Sequence, residues 1–178
     1  MIFARRYPQN LPPDYILLDK LSFSGGQYID TGIAGNGETC LEISFHNTVS
    51  TNSAVFGADG GWTVNGFGLW VNNTIIAPVI GSQNGSIGVT FSNDMDNVLF
   101  GPQSVVFNGL PVWDRGSTEQ FTTPAGIFIG AVNRDNSPFE FFTGQIGFAR
   151  ITSNGETLRN FIPCQNPSGA RGLYDTVS

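Results

Sequence analysis

The sequence predicts an all-β fold, a sandwich or barrel of short antiparallel strands. Three observations carry this. Apolar residues alternate with a period of two in run after run, with turn residues between the runs. The chain has 15 Phe and 23 Gly but only 12% charged residues, about half the charged share of an ordinary soluble protein. Solubility therefore falls to Asn, Ser, Thr, Gln and Gly. Phe, Val, Ile and Thr suit pleated strands, while Asn and Gly accept the positive φ of turns. Finally, Gly and Pro recur too often for a long helix, and no helical periodicity competes with the alternation. A length of 178 residues suits one domain, able to bury roughly 70% of its unfolded surface. The apolar share is too high for disorder.

Residues 1–13 read as an extended arm, because Pro8, Pro12 and Pro13 oppose regular structure. Arg5, Arg6 and Tyr7 give that arm adhesive side chains. Residues 14–178 form the folded domain. Its first clear strand is the glycine-bracketed "GGQYIDTGI", with Tyr28 and Asp30 on one side and Gln27, Ile29 and Thr31 on the other. In "TCLEISFHNT", Leu41, Ile43 and Phe45 oppose Glu42, Ser44 and His46. "SAVFGA" follows, then "FGLWVN", where Phe67, Leu69 and Val71 oppose Trp70 and Asn72. A sandwich buries one face of each sheet, so Trp70 is expected on an outward face. "TIIAPVIG", "SIGVTF", "NVLFG", "SVVFNG" and "GIFIGAV" continue the rhythm, separated by "ADGG", "SQNG" and "FNGLP" turns. In "IGFARI", Ile146, Phe148 and Arg150 oppose Gly147, Ala149 and Ile151. The following Asn154-Gly155 predicts a two-residue turn with both central φ angles positive. That turn pairs "GFARI" with "TLRNFI".

Two blocks of this chain resemble a large group of bacterial and bacteriophage proteins. The opening "LPPDYILLDKLSFSGGQYIDTGI" is similar to that group's start. The ending "FFTGQIGFARITSNGETLRNFIPCQNPSGARGLYDTVS" resembles its "FIPC-x-N-x-SG-x-x-GLYD" close. "AVFGA" and "GIFIGAVN" match the middle. The likeness runs from about Leu11 to Ser178. It departs at Phe23-Ser24-Gly25-Gly26, at Thr152–Gly155, at Arg150 and at Asn160. The group resembles concanavalin A-like jelly rolls, also called laminin G-like domains, in which two curved antiparallel sheets stack. By this resemblance "QYIDTG" lies near the chain's return at "FIPCQN" and "GLYD", and Asp30 has a structural role in a turn.

Several functions are disfavoured by composition. A net charge of −6 with a single lysine, Lys20, leaves no basic patch to replace counterions on nucleic acid or to meet an anionic membrane. Cys40 and Cys164 do not make a disulfide framework; one bridge or two partly buried thiols both remain open, the second being the simpler. A glycosidase needs two carboxylates across the sugar, but Glu42 stands alone in "LEISFHNT", with Ser44 and His46 at the next matching positions. His46 is the only histidine, and no Gly-x-Ser-x-Gly elbow accompanies it. The chain is thus read as non-catalytic.

Binding chemistry has better candidates. Sugar recognition combines an aromatic platform with planar hydrogen-bonding groups. Trp62 in "GGWTVNG", Trp70, and Trp113 beside Asp114 and Arg115 supply both. Calcium prefers several oxygen ligands, and "SNDMDN", with Asp94 and Asp96, is the most oxygen-rich loop, ahead of Asp59 in "GADGG". Such loops also arise simply as Asx turns. No cofactor is implied beyond that candidate calcium.

No secretory leader and no membrane-spanning run is visible. The expected function is therefore a virion-surface protein of a bacteriophage, a capsid decoration or a tail or fibre component. It would be made in the host cytoplasm and assembled with other virion proteins or with itself as an oligomer. The arm, through Arg5, Arg6 and Tyr7, would dock on a neighbour, and the lectin-like domain would bind host or environmental glycans. The alternative is a carbohydrate-binding or adhesion module of a bacterial cell surface or secreted protein.

Overall fold

The computed structural model describes residues 11–59, 65–116 and 119–177. Among them the chain forms strands and no helix. In chain order these are β1 (Ile16–Leu17), β2 (Leu21–Ser24), β3 (Ile29–Asn36), β4 (Thr39–Asn47), β5 (Ser53–Asp59), β6 (Gly66–Val71), β7 (Ile75–Gly81), β8 (Gln83–Asn84) and β9 (Ile87–Gly88). There follow β10 (Asp96–Phe100), β11 (Ser104–Phe107), β12 (Leu110–Asp114), β13 (Thr122–Ile129), β14 (Val132–Arg134), β15 (Ser137–Phe139), β16 (Thr143–Ser153), β17 (Glu156–Gln165) and β18 (Arg171–Asp175).

The strands make two sheets. The first runs β1-β17-β16-β4-β10-β11-β12, with β18 on β17 and β2 on β16. The second runs β15-β14-β5-β6-β7-β8, with β13 joining β5 to β3 and β9 on β7. Pairing is antiparallel except between β14 and β5. The predicted all-β antiparallel sandwich is what the chain forms.

Alternation explains the core. Leu41, Ile43 and Phe45 of β4 and Phe67, Leu69 and Val71 of β6 all point inward and are buried. Aromatic edges lock the two layers: Phe100 of the first sheet meets Phe67 and Phe56 of the second at 4.9 and 5.2 Å, both near perpendicular. That edge-to-face geometry adds about 0.5–1.5 kcal/mol per pair beyond burial.

The Asn154-Gly155 turn has both φ angles positive, +50° and +79°, and closes β16 onto β17 with Ser153 opposite Glu156. Asn108-Gly109 repeats the device, at +50° and +81°, between β11 and β12. Asp30 Oδ1 accepts the Gly32 amide at 2.9 Å, and Arg159 of β17 donates to the Thr31 carbonyl at 3.1 Å. "QYIDTG" is thereby tied to the returning chain.

Two expectations need correction. In "IGFARI" the assigned faces hold from Phe148 onward, with Phe148 and Arg150 opposite Ala149 and Ile151, but Ile146 falls on the other side. A bulge between Ile146 and Phe148 shifts the pairing with β4, so Ile146, Ala149 and Ile151 share the core while Phe148 turns away. "SIGVTF" is not a full strand: only Ile87–Gly88 pairs, while Val89 and Phe91 pack on the core from irregular backbone.

Candidate functional site

The outer face of the second sheet carries the more developed site. In β6 the alternation that sends Phe67, Leu69 and Val71 inward sends Gly66, Gly68 and Trp70 outward. Trp70 is nonetheless only 5% exposed, which corrects the expectation of an open aromatic platform. The reason is local. A Cβ on Gly68 would sit 2.9 Å from Trp70 Cζ3, so only glycine there lets the indole lie down over the strand. Ala54, Val79, Val132 and Ala77 complete a small apolar cluster around it.

A buried indole N–H needs an acceptor. Trp70 Nε1 donates to Glu140 Oε2, a residue 70 positions away. Glu140 itself holds φ at +49°. Among the described residues the other non-glycine positions with positive φ are Asn65, Asn108, Asp135, Asn136 and Asn154, the side chains that tolerate this region best. Glu140 is the exception, and its carbonyl is anchored by the Ala54 amide at 2.8 Å. Its second carboxylate oxygen, Oε1, has no hydrogen-bond partner among the described residues.

These groups line a groove of about 340 Å³. Trp70 and Val79 form the floor, Ile75 and Ala77 the apolar wall, and Glu140, Asn52 and Asn84 the polar rim. Asn52 Oδ1 accepts from Asn72 Nδ2 at 3.1 Å. An apolar floor with convergent acceptors and amides is the composition of a small-ligand site. Glu140, Asn52 and Asn84 were not singled out from the sequence. The available signal was a lone acid inside "PFEFF".

The remaining expected site residues are placed as follows. Trp62, Arg5, Arg6 and Tyr7 lie outside the described residues. Trp113 is half-buried against the core, and its Nε1 lies 3.1 Å from where a Cβ on Gly85 would stand. Since Gly85 also lines the groove, Trp113 backs the same end of it. Asp114 and Arg115 are turned to internal work. Asp114 Oδ1 accepts the Gly116 amide at 2.7 Å. The Arg115 side chain is 2% exposed and ion-paired with Glu119, with Nε and Nη1 lacking partners among the described residues. The amide of Ser82, then the Ser82 hydroxyl and Arg115, hold the Glu119 carboxyl below the usual carboxylate range against the upward push of burial.

Of the calcium candidates, Asp96 has its carboxylate engaged within the fold. Asp96 is fully buried, its carboxylate accepting the Ser92 amide at 3.1 and 3.2 Å and Asn108 Nδ2 at 2.7 Å. Asp94 offers its carbonyl to His46 Nδ1 at 2.8 Å. Asp59 pairs with Arg134 at 3.0 Å. Among the described residues no three His, Cys, Asp or Glu side chains gather as a metal site. Cys40 and Cys164 are free thiols, and burial pushes both pKa values up. Glu42 pairs with Arg150 on the outer face of the first sheet.

A second groove, of about 490 Å³, lies between β2, the start of β3 and β18. Neither groove carries the pair of carboxylates that glycoside hydrolysis requires. Among the described residues no helix is long and apolar enough to cross a membrane.

No protein-family model matches the chain, and no curated protein matches it in sequence. Solved structures do. The carbohydrate-binding module CBM40 of the Ruminococcus gnavus IT-sialidase, bound to α2,3-sialyllactose, superposes with a TM-score of 0.56 at 13% identity, covering 80% of this chain and 93% of that one. Domains LG4-5 of the mouse laminin α1 chain give 0.56 at 13% identity, covering 90% of this chain and 46% of theirs. A heptameric SAP-like pentraxin from Limulus polyphemus gives 0.53 at 15% identity, covering 78% and 75%. At such identities the likeness establishes the fold, a concanavalin A-like, laminin G-like jelly roll.

Proposed function

We propose that this jelly roll is a non-catalytic glycan-binding protein whose ligand lies in the Trp70–Glu140 groove. The carrying observation is Glu140. A buried indole holds one carboxylate oxygen in place, the other has no hydrogen-bond partner among the described residues, and Glu140 lines the groove. Saccharides present hydroxyls for such an acceptor and C–H faces for Ile75, Ala77 and Val79. The CBM40 neighbour, solved with sialyllactose, supports a sugar ligand for this fold.

The finer reading is a bacteriophage virion-surface protein, as capsid decoration or in the tail or fibre, assembled with other virion proteins or with itself. The resemblance of "QYIDTG" and "FIPCQNPSGARGLYD" to bacterial and phage proteins supports it. A bacterial surface or secreted binding module is the second reading, favoured by the sialidase-module neighbour.

A glycan array with the full chain tests the ligand, followed by titration of each hit against Glu140→Gln and Asn84→Ala. Weakened binding with an unchanged melting curve is expected. An empty array, or hits indifferent to both substitutions, refutes the site. Loss of incorporation into particles on removal of residues 1–10 tests the docking role of Arg5, Arg6 and Tyr7; full incorporation overturns it.

A further inference from the structure

We propose that the groove between β2, β3 and β18 binds an anionic saccharide through Lys20, Arg171 and Tyr28. It shares no lining residue with the Trp70 groove and stands independently of that reading.

The inference starts from how the chain disposes of its cations. Six of its eight Lys and Arg residues lie in described segments. Four are neutralised by carboxylates: Arg115 by Glu119, Arg134 by Asp59, Arg150 by Glu42 and Arg159 by Asp175. The other two, Lys20 and Arg171, have no carboxylate partner among the described residues, and both line this one groove. Among the described residues the Lys20 side chain makes no hydrogen bond or ion pair. Arg171 uses only Nε, which donates to the neutral Gln165 Oε1 at 3.1 Å, so the rest of its fork remains open to an oxyanion. No acid lines the groove. On a protein of net charge −6, two uncompensated cations facing one space create a local positive potential against the general field.

The remaining lining identifies the ligand class. Tyr28 is 41% exposed. Its ring stacks on Phe128 at 4.5 Å, which fixes its plane, and Tyr28, Leu21, Ile29 and Leu173 give the groove an apolar wall beside the charges. An aromatic ring held rigid next to two cations suits a sugar ring that carries a charged substituent: the ring takes the C–H face and the cations take the oxyanion. Two cations are too few for a nucleic-acid backbone. The oxyanion can be a uronate carboxylate or a sulfate ester, which share this recognition chemistry.

Isothermal titration of the full chain with oligogalacturonate, sulfated dextran oligomers, neutral dextran and ATP tests the proposal. The two acidic saccharides report which oxyanion is preferred. Binding of at least one acidic saccharide and none of neutral dextran is expected. Lys20→Gln and Arg171→Gln should each weaken binding about tenfold, as expected for one charge-assisted contact, and Lys20→Arg should retain it. Glu140→Gln should leave it unchanged. Both cation positions are exposed, so melting curves should not move. Failure of both acidic saccharides, equal binding of neutral dextran, binding of ATP alone, or indifference to both Gln substitutions overturns the proposal.

Discussion

Glu140 offers a test in which stability and binding separate. Three substitutions differ in what they keep. Glu140→Gln keeps an acceptor for Trp70 Nε1 and the left-handed backbone. Glu140→Ala loses the acceptor and keeps φ at +49°. Glu140→Gly loses the acceptor but removes the Cβ penalty. Trp70 is 5% exposed, so removing the Glu140 acceptor from its N–H costs about 1–3 kcal/mol in both truncations. A left-handed L residue costs about 1–2 kcal/mol, and glycine's extra unfolded-state entropy returns about 0.4–1 kcal/mol of that. Glycine should therefore be more stable than alanine by about 0.5–1 kcal/mol, although both fall below wild type. For a domain of this size that difference is roughly 1–4 °C in Tm. Equilibrium urea unfolding, with m unchanged across the series, reads it directly. Glycan binding should be lost equally in the Ala and Gly proteins. An alanine protein as stable as the glycine one would refute the strained backbone. A glycine protein that still binds would remove Glu140 from the site.

Other perturbations follow from the same geometry. Asp96→Ala orphans the Ser92 amide and Asn108 Nδ2 and should cost about 2–4 kcal/mol in chemical denaturation, with no recovery on adding calcium. Glu119→Gln leaves the buried Arg115 guanidinium without its counter-charge and should destabilise by about 3 kcal/mol. Because the folded Glu119 pKa is lowered, its contribution is complete above the ordinary carboxylate pKa and fades as pH falls through the lower folded value. The gap between wild type and Glu119→Gln should accordingly narrow toward acid pH. Gly144→Ala places a Cβ 2.3 Å from the His46 carbonyl, in the seam between β16 and β4, and should abolish soluble folded protein. Gly155→Ala meets nothing within 4 Å but sits at φ +79°, so its cost should be about 1 kcal/mol in the melting curve.

What could be read in the sequence is what period-two alternation and turn chemistry encode locally. Leu41, Ile43 and Phe45 could be placed inward because neighbours in sequence suffice to define a face. Asn154-Gly155 could be placed in a primed turn because the two residues carry their own φ preference. What failed needed partners distant in sequence. The bulge at Gly147 depends on how β16 meets β4, and nothing in "IGFARI" announces the skipped residue. Alternation puts Trp70 on the outward face and implies solvent there; its cover comes from Ala54, Val79 and Val132 on other strands. Arg115 looked like a surface cation beside Trp113, yet Glu119 and Ser82 draw it inside. The second groove was illegible for a different reason. Lys20 and Arg171 are far apart in the chain, and that they have no acid partner among the described residues emerges only when the other four described cations are seen paired.

The identity of residue 140 distinguishes a binding site from a structural cap. Burying an indole on the outward face of β6 obliges the fold to supply one acceptor, and any short amide could do so. At the other described non-glycine left-handed positions the chain uses Asn or Asp, which adopt that backbone at low cost. At 140 it instead accepts a side chain ill suited to the conformation, and a negative charge beside an apolar cluster. Covering Trp70 does not require either. Both are needed to hold a carboxylate on the rim of a groove with apolar lining, one oxygen bonded to the indole and the other without a partner among the described residues. Strain retained where a less strained residue would satisfy the packing is the pattern of functional positions, and here it coincides with the groove rim.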